Sequence, residues 1–212
     1  MNKAIYTAIF GDYEDLKEPA IVTQGWDYIC FTDMPLQSKV WKVINIEKIL
    51  ENRRMARYVK INPHIYLPQY EFTMWIDASF QINVNIDLIW KYFTAPFTAP
   101  SHPIRKCVYQ EVRSCIANKR GEPDLVAIQG AVYKQLGVPD FNGIITSGLL
   151  MRDNSIECIN LCIEWWKEVE QHSTRDQIAF AKASIGHKFS TFNWDYSQSK
   201  ELKYIKHYHE RH

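Results

Sequence analysis

Phe72-Thr73-Met74-Trp75-Ile76-Asp77-Ala78-Ser79 is the most informative stretch of this chain. It opens an apolar run, Phe72 to Ile82, that is dense in Trp, Ile and Phe and reads as the best central strand in the sequence, interrupted by Asp77. Just upstream lies the basic, aromatic stretch Arg57-Tyr58-Val59-Lys60-Ile61-Asn62-Pro63-His64. Open α/β sheets bind ligands beyond the carboxyl ends of their strands. A carboxylate leaving such a strand, with cations close by, is therefore a means of holding a metal and a phosphate together.

The preceding residues predict the opening of that sheet. Residues 3 to 10 form an Ile-, Tyr- and Phe-rich run that stops at Gly11-Asp12. Tyr28 to Thr32 is a second strand ending at Asp33, and Val40 to Ile46 a third. From Glu47 to Ile61 the spacing turns helical and puts Arg53, Arg57 and Lys60 on one face, with Pro63 forcing an end near Asn62. Downstream, Thr94 to Pro100 reads as an extended loop. Helices are predicted for Ile104 to Asn118, Leu125 to Leu136, Ile156 to Val169 and Ser173 to Gly186, with a strand at Gly143 to Met151 and a short aromatic strand after the last helix. Alternating strands and helices predict an α/β layered fold.

The chain has 212 residues, 46% of them hydrophobic and 14% aromatic, which predicts one domain with a sizeable core. With 25 Lys and Arg against 24 Asp and Glu there is no general pull toward nucleic acid, so any anion site must be local. No stretch has the apolar length of a membrane span, and the start lacks the pattern of a signal peptide. The five cysteines are odd in number and never spaced Cys-x-x-Cys, which predicts reduced thiols and a cytoplasmic location. Nucleotide-binding glycine motifs, the Gly-x-Ser-x-Gly elbow and His-Glu-x-x-His are all absent from the sequence.

Several residues are candidates for chemistry. Asp77 offers oxygen to Mg or Mn, or else caps backbone N–H groups at a turn. Ser79 projects to the same side of an extended chain and adds a hydroxyl. Arg57 and Lys60 suit phosphate oxygens, although a solvated basic face is the commoner role for such residues. Asp12 is accounted for by the turn after Gly11, whereas Asp33 is placed to accept from a base N–H. Arg175-Asp176-Gln177 opens a helix, where Ser173-x-x-Asp176 also fits a capping box. His207 and His209 offer imidazole near the end, and His64 and His102 sit beside prolines in loops.

Taken in order, six segments carry a family resemblance: Tyr6 to Tyr13, Asp27 to Asp33, Ala56 to His64, Trp75 to Phe80, His102 to Glu111, and Arg175 to Gln177. Together they resemble a family of plant mucilage-related and turgor-related proteins with bacterial members, within the GT-A glycosyltransferase superfamily. The resemblance implies a single GT-A-like, Rossmann-like domain over residues 1–212, a mixed central sheet flanked by helices. Residues 1–82 would be its nucleotide-binding half and residues 83–212 its acceptor side. It implies a UDP- or GDP-linked sugar donor and a glycan or lipid-linked acceptor, with peripheral membrane contact allowed. By the same resemblance Asp77, Ser79 and His207 hold a divalent Mn or Mg ion, Ser79 standing where the superfamily's Asp-x-Asp motif has its second carboxylate. Asp12, Asp33, Arg57, Lys60 and Ser147 would bind the donor. Asp176 and Gln177 would lie near the reacting sugar, Asp176 closest to the anomeric carbon, and the resemblance leans to retention of configuration. Two other functions use the same residues. One is a metal-dependent hydrolase that activates water at Asp77, Asp176, His102 and His207. The other is a non-catalytic carbohydrate-binding protein that uses its Trp and Tyr side chains as stacking surfaces.

Overall fold

The computed structural model describes residues 1–194 and 200–205. The chain opens with β1 (Lys3–Ile9), β2 (Asp27–Thr32) and β3 (Lys42–Asn45), followed by helix α1 (Asn52–Ile61) and the single turn α2 (Pro63–Tyr66). Next come β4 (Phe72–Ile76), β5 (Phe80–Ile82), α3 (Asp87–Trp90) and β6 (Phe97–Pro100). Helices α4 (Val108–Ala117) and α5 (Pro123–Gln135) precede β7 (Leu149–Asp153), α6 (Ile156–Gln171) and α7 (Asp176–Ala183). Two short strands, β8 (Ser190–Phe192) and β9 (Leu202–Tyr204), complete the described elements.

Seven strands form one sheet in the order β3-β2-β1-β4-β7-β6-β8, and β5 pairs with β9 in a separate two-stranded ribbon. Strands β1 to β4 are mutually parallel, while β7 runs antiparallel to both β4 and β6. That reversal positions the site. The carboxyl ends of β1 and β4 share one edge with the amino end of β7, and Asp77 N–H donates to Gly148 O across it at 2.9 Å. Asp77 and Ser147-Gly148 therefore meet, although the sequence separates them widely.

The period-two alternation of β1 splits the core. Ala4, Tyr6 and Ala8 face one layer with Met55, Val59, Leu161 and Trp165, whereas Ile5 and Ile9 face the other with Trp26, Trp41, Ile86 and Ile89. Both faces of the sheet are covered, as a largely parallel sheet requires. Trp26, Trp41, Trp75 and Trp165 are all buried in these layers, so these aromatics hold the core and offer no surface for sugar stacking.

Several boundaries differ from the sequence reading. The run Phe72 to Ile82 is two strands, because the chain turns at Asp77, whose carbonyl accepts from Phe80 N at 2.9 Å, and β5 leaves the main sheet. Thr94 to Pro100 is not wholly loop, since Phe97–Pro100 is strand β6 within the sheet. Its prolines stand before the strand and at its last residue, where the missing N–H costs little, and fully buried Phe97 and Ala99 anchor it. Helix α1 starts at Asn52 because the Glu51 carboxylate caps the N–H groups of Arg53 and Arg54, at 3.0 and 2.6 Å. Helix α7 begins at Asp176. Ser173 makes no capping box there, its hydroxyl donating instead to Gln129 Oε1 at 2.6 Å.

Candidate active site

The last turn of α1 carries Lys60 and the turn after β4 carries Asp77, and the two meet under the edge of the sheet. Lys60 is completely buried. Its Nζ lies 2.7 Å from Asp176 Oδ2 and 3.4 Å from Asp77 Oδ1, and 5.6 Å from the centre of the Trp75 ring. Arg57, one helical turn earlier, places Nε 3.4 Å from the same Asp176 oxygen. Trp75 fixes Asp77 from below, its indole N–H donating to Oδ1 at 2.6 Å. Two cations and two carboxylates thus form one compact array. The second oxygen of Asp77 makes no hydrogen bond among the described residues.

Gly148 is required at this point. A Cβ there would meet the Phe80 ring at 2.9 Å and Asp77 Oδ2 at 3.4 Å. The chain end of the described region also closes in, since Ile205 N–H donates to Ser79 O at 2.9 Å.

Electrostatics follow from burial and pairing. Burial alone would push the Asp176 carboxyl up, but Arg57 and Lys60 outweigh it and hold the group well below the usual carboxylate range. Burial pulls the Lys60 ammonium down from the ordinary lysine value, opposed by Asp176 and Asp77. Glu111 shows the same balance as Asp176, its burial outweighed by Arg175 and Arg105. A carboxylate depressed in the folded state contributes stability in full above its unfolded value, about 4, and loses it as pH falls through the folded value. Unfolding free energy, measured by urea at a series of pH values, is expected to decline steeply as pH falls below about 4. Asp176→Asn, less stable at neutral pH, is expected to show a shallower decline over that window.

Above the array runs a cleft with two lobes. The smaller, about 200 Å³, is lined by Ala8 to Phe10 at the end of β1, by Arg53 and Arg57 of α1, and by Asp77 to Ser79. The larger, about 780 Å³, shares Tyr13, Arg57, Asp77 and Ser79 with the first and extends past Ser147 and Gln177. Gln177 is held on both sides, its amide donating to Ile145 O and accepting from Arg175, each at 2.8 Å. Its backbone N–H donates to Asp176 Oδ1 at 3.0 Å.

The structure thus brings together Asp77, Ser79, Arg57, Lys60, Ser147, Asp176 and Gln177. Asp12 is exposed and lines neither lobe. Asp33 lines neither lobe. Its carboxylate accepts from Gly11 N–H at 2.8 Å and pairs with Lys48 at 3.3 Å, which ties the ends of β1 and β2 together. Gly11, with φ of 64° and Asn52 packed where a side chain would project, lets the chain turn there. His207 and His209 lie outside the described residues. His102 is committed to its own loop, its Nδ1 accepting from Ile104 and Arg105 N–H at 3.1 and 3.0 Å.

Functional residues that the sequence reading passed over include Trp75 and Glu111. Trp75 and Asp77 are two apart on an extended chain, a spacing that already puts them on one side. Glu111, fully buried, grips Arg105 Nε and, at 3.0 Å, Arg175. No spacing signal links residues so far apart in the chain.

Among the described residues no group of three or more His, Cys, Asp or Glu converges on one point. Asp77 Oδ2 and the Ser79 hydroxyl are hard oxygen donors on the cleft wall. That set fits Mg or Mn in the mode where one or two protein oxygens are completed by substrate phosphates and water.

The chain matches the TOD1/MUCI70, glycosyltransferase-like domain over residues 32–206. It is 21% identical over 210 residues to the probable hexosyltransferase MUCI70 of Arabidopsis thaliana, an alignment covering 84% of this chain and 36% of that protein. The chain therefore spans about a third of the length of the curated relative it matches. Among solved structures it superimposes on the apo WbbM bifunctional glycosyltransferase with a TM-score of 0.52 and 8% identity, over 89% of this chain and 38% of that one. That likeness carries the fold, which is GT-A-like. Since the family match runs through β4, Lys60 and Asp176 and takes in most of the residues, this chain belongs to the TOD1/MUCI70 glycosyltransferase-like domain family.

Proposed function

We propose that this chain transfers a hexosyl or related sugar from a UDP- or GDP-linked donor to a glycan or lipid-linked acceptor. The observation that carries the reading is the buried array of Lys60, Arg57, Asp77 and Asp176 at the carboxyl edge of the sheet, directly below the cleft. Residues 1–82 form the donor half and residues 83–212 the acceptor side. In this assignment the nucleotide occupies the smaller lobe, with Asp33 and Asp12 shaping the loops around the base.

Displacement at the anomeric carbon develops negative charge on the departing diphosphate, and groups preorganised against that charge accelerate the step. Arg57 borders both lobes, from where its guanidinium would meet phosphate oxygens. Lys60, fully buried, contributes its field and fixes Asp77. Asp176 is 1% exposed and bound to both cations, so its role is to hold them in place, a different one from direct contact with the anomeric carbon. Gln177 and Ser147 line the larger lobe, where the sugar would lie. Asp77, Ser79 and His207 would hold Mn or Mg, which as a Lewis acid would neutralise the diphosphate. We place the reaction in the cytoplasm on the strength of five free, buried thiols. No helix among the described residues is long and apolar enough to cross a membrane.

Nucleoside diphosphate release from a panel of nucleotide sugars, with and without glycan acceptors and with EDTA, tests this directly. Release that requires an acceptor, with the product gaining one sugar mass, supports transfer. Release at an equal rate without acceptor, yielding free sugar, supports the hydrolase reading.

A further inference from the structure

The larger lobe holds an excess of positive charge that the array at Asp77 does not account for. Arg57 and Lys60 are balanced by Asp77 and Asp176, two against two. Arg105, Arg120, Arg175 and Lys203 line the same lobe, and among the described residues the one carboxylate paired with them is Glu111. All three guanidinium groups bear on His102, whose imidazole is held below its ordinary value chiefly by burial and then by these charges. The Arg120 side chain makes no hydrogen bond or ion pair among the described residues, and Arg175 Nε is buried without a hydrogen-bond partner there. Arg175 is wedged beneath the Gly121 turn, where a Cβ would come within 2.9 Å of its side chain.

Gathering like charges costs stability, and a chain of net charge +1 has no general reason to do so. Guanidinium groups match carboxylate and phosphate in planar, two-pronged geometry. We propose that the larger lobe is an acceptor subsite that recognises an anionic substituent, a carboxylate or a phosphate, carried by the acceptor sugar. Glu111 holds Arg105 and Arg175 in place from behind, and Arg120 supplies the unpaired donors. This inference rests on the proposed donor site, which assigns the smaller lobe to the nucleotide.

The test is calorimetric titration of the whole chain with glucuronate, glucose 6-phosphate and glucose, with and without saturating UDP and Mn. At least one of the two anions is expected to bind while glucose does not, and the one that binds tells carboxylate from phosphate. Binding is expected to weaken as salt rises and to fall about tenfold or more in Arg120→Ala. Arg120 is exposed, so that variant is expected to keep its melting temperature. Arg105→Gln is a second variant with the same expected direction. Binding of both anions no tighter than glucose overturns the proposal, as does undiminished binding in both variants. Displacement of the anion by UDP also overturns it, since the anion would then occupy the donor diphosphate position. If UDP fails to bind but an anion binds in an Arg120-dependent way, the donor reading is lost and the anion subsite stands.

Discussion

Lys60→Met is expected to destabilise the protein by about 3–5 kcal/mol and to abolish sugar transfer. Lys60 is completely buried and its partner Asp176 is 1% exposed, so the variant leaves a carboxylate in low dielectric without its closest cation, Arg57 at 3.4 Å being the one ion-pair partner that remains among the described residues. For a domain of this size that loss corresponds to a fall in melting temperature of roughly 6–20 °C. The double variant Lys60→Met, Asp176→Leu removes both charges and is expected to recover most of the stability, because replacing a buried ion pair with apolar groups is often neutral or better. It is not expected to recover activity. A double-mutant cycle on urea unfolding, run beside the transfer assay, therefore separates the structural work of the pair from its electrostatic work. Transfer restored along with stability would show that the pair only holds the fold.

Asp77→Ala carries the second large effect. Asp77 is the one carboxylate of the array with an oxygen left unbonded among the described residues, and it is fixed by Trp75 and Lys60 at the junction of the two lobes. Its side chain is 30% exposed, but its removal leaves the buried Trp75 indole N–H without its acceptor, so a cost of about 1–3 kcal/mol is expected, below that of losing Lys60. In the proposed reaction an anionic Asp77 would act on the departing diphosphate through the divalent ion it would hold, and loss of that support is expected to lower kcat by about 10²-fold or more. Ser79→Asp probes the same point from the other side. If the second hard oxygen is a metal donor, the carboxylate is expected to tighten the Mn dependence of transfer.

Much of this was legible in the sequence because the relevant physics is local. The apolar run of β1, the stops at Gly11 and Asp33, and the helical spacing before Pro63 each rest on neighbours a few residues apart. The run Phe72 to Ile82 misled because an apolar stretch does not reveal where a backbone turns out of a sheet, and here the turn depends on pairing with β7 and β9. Thr94 to Pro100 misled in the opposite sense, since its prolines fall where a strand tolerates them. Lys60 was legible as a cation near Asp77 but not as a buried one. Its buried partner is Asp176, 116 positions away at the start of α7. The arginine cluster around Glu111 was hidden for the same reason, since its ion pair with Arg175 spans 64 residues.

We propose that the edge of the sheet beside Asp77 binds the diphosphate of a nucleotide-linked sugar. Its most direct test is the melting temperature of the unmodified chain with UDP or GDP, each with and without Mn. A nucleoside diphosphate at about a hundred times its dissociation constant adds about 2.7 kcal/mol, so a rise of roughly 5–11 °C is expected with one of the two nucleotides, and none in Asp77→Ala. An unchanged melting temperature with either nucleotide, metal present or absent, would show that this edge binds no nucleoside diphosphate.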